Sequence, residues 1–184
     1  MTILLRMKHW QIFLILICLP IILHLWISKV EIFNQNVNDL ISTFDMPVIF
    51  ITTLFFWLYT LASNLNNKLT SDFKLNIKKF IACLIVPLFY FLLLFFFVLE
   101  MSEINYTTSF IILIFVIGVP LHLLSMFCIF YCFWFNAKLL SSVELQKEGA
   151  LNEYIGYFFL FWFYPIGIWI IQPKINIIFN KKTD

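Results

Sequence analysis

The chain has 184 residues, of which 62% are hydrophobic and 12% charged, with a formal net charge of +2 and a mean hydropathy of +0.96. Water-soluble domains carry about 25% charged residues. A soluble fold of this length and composition would leave much apolar surface uncovered, so it is excluded and lipid is the expected solvent. The small charge, with no basic stripe among exposed aromatics, argues against a nucleic-acid partner, and the length provides for one bundle without a separate domain.

Arg6 and Lys8 precede an apolar run in the manner of a signal peptide, but the run is too long and no small-x-small site follows Trp26. It reads instead as a retained first membrane helix over residues 10–28. Trp10 and Trp26 stand as interfacial anchors, and Pro20 is an internal kink. In residues 29–45, Val30, Phe33, Val37, Leu40, Ile41 and Phe44 recur at helical spacing between polar positions. The pattern predicts an amphipathic helix on the membrane surface, against the alternative of a loop brushing the headgroups.

The second span is predicted over 46–62, with Pro47 in its first turn and Thr53, Thr60 and Ser63 on one packing face. A linker rich in Asn and Lys leads to a third span over 80–99, with Pro87 inside and Glu100 at its end. The fourth span, 110–135, is long enough to tilt. It is followed by a hydrophilic helix in 136–153 that either stands alone or extends the span, with Gly149 as its stop. The fifth apolar segment, 154–171, is uncharged but interrupted by Pro165 and Gly167.

Lysine placement decides how that last segment is threaded. Basic residues in short loops favour the cytoplasm. With four spans and a cytoplasmic amino end, only Lys29 falls outside. If 154–171 crossed, Lys174, Lys181 and Lys182 would also fall outside. The expected fold is therefore an all-α integral membrane protein of four transmembrane helices plus a C-terminal re-entrant or interfacial segment. The alternative is five transmembrane helices, since 18 apolar residues at about 1.5 Å each just span the core. A re-entrant segment must pack on the bundle, because irregular backbone at membrane depth needs protein or water over it.

His122 is the one ionisable group expected near mid-membrane, and such residues are functional candidates by default. It belongs to a row of Gly118, His122, Ser125, Ile129, Cys132 and Asn136 stepping along one face. That seam either lines a polar path or is a tight helix contact. A structural histidine would bond a hydroxyl on a neighbouring span, with Tyr90 or Thr53 as the expected partner. Cys128 and Cys132 lie one turn apart, but with His122 they lack a fourth soft-metal ligand. Cys18 and Cys83 also sit in apolar runs, and no Cys-x-x-Cys occurs, so no disulfide framework or zinc site is indicated. Four glycines, no His-Glu-x-x-His and no Gly-x-Ser-x-Gly leave no catalytic constellation. No cofactor or metal is expected.

The C-terminal stretch carries Tyr-Ile-Gly-x-Phe-Phe-Leu, Trp-Phe-Tyr-Pro-Ile-Gly-Ile-Trp and Ile-Gln-Pro-Lys-Ile-Asn. It resembles a signature of small multi-span bacterial membrane proteins. The resemblance covers about the last fifth of the chain and implies residence in the bacterial inner membrane, with no catalytic residue to carry over. Read physically, Pro165 and Gly167 turn the chain, Trp162 and Trp169 sit at an interface, and Lys174 meets headgroup phosphate. The expected partners are the bilayer and either another protein or further copies of this chain. The expected role is interaction, as an accessory subunit, scaffold or immunity protein, through the helix at 29–45 or at 136–153. The alternative is an oligomeric channel or membrane-disrupting effector lined by the His122 face.

Overall fold

The structure, a computed structural model, describes residues 3–27, 29, 35–70, 73–101 and 108–180, with side chains described at 3–27, 29, 46–70, 73–97 and 115–180. Among the described residues every regular element is helical: α1 (Ile3–Arg6), α2 (His9–Phe13), a π-turn (Leu14–Cys18), α3 (Leu19–Ile27), α4 (Gln35–Asn66), α5 (Ile77–Met101), α6 (Thr108–Leu145), α7 (Leu151–Trp162) and α8 (Tyr164–Asn180). Four stretches are long and apolar enough to cross a membrane: His9–Ile27, Met46–Asn66, Ile77–Phe97 and Phe115–Leu145. The chain is thus an all-α, multi-pass membrane protein.

The first span changes its hydrogen-bond pattern where its chemistry requires. Pro20 has no N–H to give the ladder and crowds the carbonyl one turn earlier. The ladder loosens just before it, Leu19 N–H reaching back five residues to the Leu14 carbonyl. A π-turn of this kind is a recognised source of helix kinks.

The second span is longer than expected. No glycine or proline separates Gln35 from Met46, and the helix runs unbroken from Gln35 to Asn66. Residues 35–45 are therefore the opening turns of α4 rather than a separate surface helix, while 30–34 lie outside the described residues. Pro47 sits in the helix interior, not its first turn. In the following linker the Asn66 side chain accepts from Leu75 N–H at 3.0 Å and donates to Leu75 C=O at 3.1 Å. Asn76 then caps α5, its Oδ1 accepting from Lys78 N–H at 3.0 Å and Lys79 N–H at 3.3 Å.

Helix α6 also outruns its predicted end. It continues through Asn136 to Leu145 and stops where Gln146 takes a φ of 53°. Gln146 donates its side-chain amide to the Val143 carbonyl at 2.7 Å. The stop thus falls before Gly149, whose N–H is bound by Ser142 Oγ at 3.0 Å. The predicted hydrophilic helix extends the fourth span, the alternative the sequence allowed. Residues 144–148 are exposed, but its first part is core: Asn136, Ala137, Leu139, Leu140, Ser141, Ser142 and Val143 are buried.

What buries it is the fifth apolar segment. That segment is broken at Phe163 (φ −91°, ψ 49°) into α7 and α8, which are 12 and 17 residues long. Pro165 falls in the first turn of α8, where its missing N–H costs nothing. The mouth of this helical hairpin lies beside the charged ends of α4 and α6: Lys147 pairs with Glu153 at 2.5 Å, Lys174 with Glu144 at 3.1 Å, and Lys68 Nζ reaches the Ile178 carbonyl at 3.1 Å. Its tip reaches α6 and α4, with Trp162 4.6 Å from the Phe130 ring and Tyr164 5.4 Å from that of Phe50, while Phe163 and Ile166 stay exposed. Segment 154–171 enters and leaves at one end, which is the re-entrant arrangement. Trp162 lies beside Phe130 within the stretch Phe115–Leu145.

The amino end closes on the same mouth. Gln172 Nε2 donates to the carbonyls of Leu4 (3.0 Å) and Met7 (3.1 Å), and Asn176 Nδ2 donates to Met7 C=O at 3.0 Å. Residues 4–7 and 172–176 therefore share one end of the bundle. The core formed by Trp57, Leu61, Leu65, Phe80, Phe135, Leu139, Phe161, Ile168 and Ile171 fills that half.

Candidate functional site

Packing divides the predicted polar seam in two. Ser125, Cys132 and Asn136 are buried, and Asn136 spends its amide on the Cys132 carbonyl at 3.0 Å. Gly118 is half-exposed and His122 exposed on the outer surface. A β-carbon at Gly118 would meet nothing within 4 Å, so this glycine is not there to admit a neighbouring helix. The inner half of the seam is covered because the hairpin and α4 pack on α6. The outer half has α5 on one side and is otherwise open. Within one copy the row therefore forms no continuous path.

His122 has the expected hydroxyl partner. Tyr90, buried on α5, places its OH 2.9 Å from Nδ1, with the ring centroids 5.5 Å apart. Thr53, the other candidate, turns its hydroxyl back to the Phe50 carbonyl at 3.0 Å, the usual fate of a threonine inside a helix. The Tyr90 bond occupies Nδ1, and His122 is exposed on a stretch of α6 where Val119, Leu123 and Phe127 are exposed too. Lipid tails offer Nε2 no hydrogen bond.

Three of the four cysteines gather between α5 and α6. Cys83 of α5 lies near Cys128 and Cys132 of α6. Among the described residues no three His, Cys, Asp or Glu side chains converge as ligands would, and all four cysteines are free.

A second polar cluster, which the sequence did not announce, sits at the hairpin mouth. Glu144 near the end of α6 accepts from Lys174 of α8 and from the hydroxyl of Tyr157 on α7. Lys174 also bonds Tyr157 OH and lies 4.7 Å over its ring. Lys174 is thus held by protein groups. Glu144 and Lys174 are far apart in sequence, and only the hairpin's return brings them together. Alongside, Lys138 pairs with Glu148 at 2.8 Å, and Glu153 accepts the Ala150 N–H at 2.8 Å while holding Lys147. The carboxyls of Glu148 and Glu153 are held below the usual carboxylate range by the Lys138 and Lys147 ammonium groups, respectively.

Of the turn residues, Gly167 is the one the geometry demands, because its backbone lies against the last turn of α7. Trp169 is about half-exposed and touches His9 (4.6 Å) and Phe13 (5.9 Å) at the start of the first span. No protein-family model, curated protein or solved structure matches this chain.

Proposed function

We propose that this is a non-enzymatic protein that acts by protein–protein contact within the bilayer, in an accessory, scaffolding or immunity-type role. One observation carries the reading: a single imidazole, fixed by Tyr90, faces outward at membrane depth from an otherwise apolar wall. Keeping a polar ring against lipid is costly, and a partner helix offering a hydrogen-bonding group to Nε2 removes that cost. Neither segment first expected to dock a partner supports this role: 136–143 is core, and 35–45 is the start of α4.

The bacterial inner membrane, with both ends cytoplasmic, is the matching location. The clustering of Arg6, Lys8, Lys68, Lys138, Lys147 and Lys174 at the end that holds the hairpin mouth supports it by the positive-inside rule. The C-terminal signature supports it too.

The test is photo-crosslinking in native membranes from a diazirine residue at Leu123 or Phe127, which flank His122. A protein adduct that disappears in His122→Leu is expected. Adducts to lipid alone would overturn the proposal. The outward orientation of His122 also admits a homo-oligomeric channel, since only assembly places that ring inside. In that case the crosslinked species is this chain itself, and His122→Leu alters ion flux in reconstituted vesicles.

A further inference from the structure

The ends of α4, α6 and α8 enclose a cleft of about 600 Å³ at the hairpin mouth, walled by Lys68, Val143, Glu144, Lys174 and Ile177. We propose that it binds the phosphate of a glycerophospholipid headgroup, with Lys68 and Lys174 as its cationic contacts. The volume falls in the range of small-ligand sites and is too small for a folded partner.

Both ammonium groups are positioned in advance. Lys68 is tied to the Ile178 carbonyl at 3.1 Å and lies 4.8 Å over the Phe179 ring. Lys174 is tied to Glu144 at 3.1 Å and to Tyr157. An ammonium has three donors. Lys68 therefore keeps two and Lys174 keeps one after these bonds. Two cations against the single carboxylate of Glu144, which is itself engaged by Lys174 and Tyr157, leave the cleft net positive.

The rest of the wall fits an amphiphile. Val143 and Ile177 face the same space as the lysines, and Ile177 is 60% exposed. A soluble phosphate compound has no use for an exposed isoleucine beside its charge, whereas the glycerol and first methylenes of a lipid do. The cleft also lies where the apolar spans give way to charged turns, which is headgroup depth. Basic pockets between helices at the cytoplasmic side commonly hold phospholipid headgroups.

The full-length protein is reconstituted in nanodiscs of phosphatidylethanolamine and phosphatidylglycerol, ejected into the gas phase, and its retained lipids counted by native mass spectrometry. One phospholipid retained per chain is expected. Occupancy should fall at least tenfold in Lys68→Gln/Lys174→Gln. It should fall as far in Ile177→Glu, an exposed position where the change adds a carboxylate to the cleft without disturbing the core. Unchanged retention in both variants, or no retained lipid in the parent, overturns the proposal. Displacement of the lipid by millimolar inorganic phosphate would overturn the assignment to lipid and leave a site for a free anion.

Discussion

A β-carbon placed on Gly167 would lie 1.8 Å from the carbonyl oxygen of Leu160, a backbone atom that cannot swing aside. The two helices of the hairpin meet so closely at the tip that no larger residue fits. Gly167→Ala should therefore separate α7 from α8 and destabilise the protein by about 1–3 kcal/mol or more, the usual cost of overpacking. Gly156→Ala is the control, since a β-carbon there meets nothing within 4 Å. It should be neutral or slightly stabilising through helix propensity. Thermal unfolding in detergent distinguishes them, and equal melting temperatures for the two variants would contradict the hairpin geometry.

Gln172 holds two carbonyls of the amino-terminal segment with one amide. Gln172→Leu keeps the bulk and removes the donors, so the Leu4 carbonyl loses this bond and Met7 C=O is held by Asn176 alone, at a cost of about 1–3 kcal/mol. Amide exchange over residues 3–8 should quicken while that of α4 stays slow. Uniform acceleration along the whole chain would instead mean that the contact is a general packing element.

The Tyr90–His122 bond joins α5 to α6. Hydrogen bonds between membrane helices are worth about 0.6 kcal/mol on average in double-mutant cycles. Tyr90→Phe, His122→Leu and the double change should give a coupling of that order. A coupling of zero would show that the two side chains do not support one another.

The turn from α6 to α7 should loosen in acid. Glu148 and Glu153 have carboxyl pKa values lowered in the fold by Lys138 and Lys147. A depressed folded pKa gives stability that is present above the unfolded carboxylate pKa and lost as pH falls through the folded one. Glu148→Gln/Glu153→Gln should melt lower than the parent at neutral pH, and the gap should close towards the bottom of the carboxylate range. A gap that stays constant with pH would show that these ion pairs do not act through ionisation.

Much of this architecture is legible in the chain itself. Four apolar runs mark four spans, and Lys174, Lys181 and Lys182 with the Pro-Ile-Gly interruption favour turning the fifth back over a fifth crossing. His122 called for a hydroxyl at its own depth, and Tyr90 supplies one. Other features depend on tertiary packing that leaves no periodic trace. Asn136, Ser141 and Ser142 look hydrophilic in a local window, yet the returning hairpin buries them. Continuity of α4 through Pro47 was hidden because a proline usually marks a first turn. Glu144 and Lys174 meet only once α8 has folded back, so no spacing rule could pair them. The π-turn before Pro20 is a backbone adjustment, and composition reads only as far as a kink.

The grip of Gln172 and Asn176 on Leu4 and Met7 joins segments more than 160 residues apart. In a ribosome-fed membrane protein residues 4–7 must wait, unclasped, until α8 has been delivered. This contact is therefore a fastening step that follows insertion of the four spans between them. Shortening the chain before Gln172 would leave an inserted but open bundle, a natural substrate for membrane quality-control proteases.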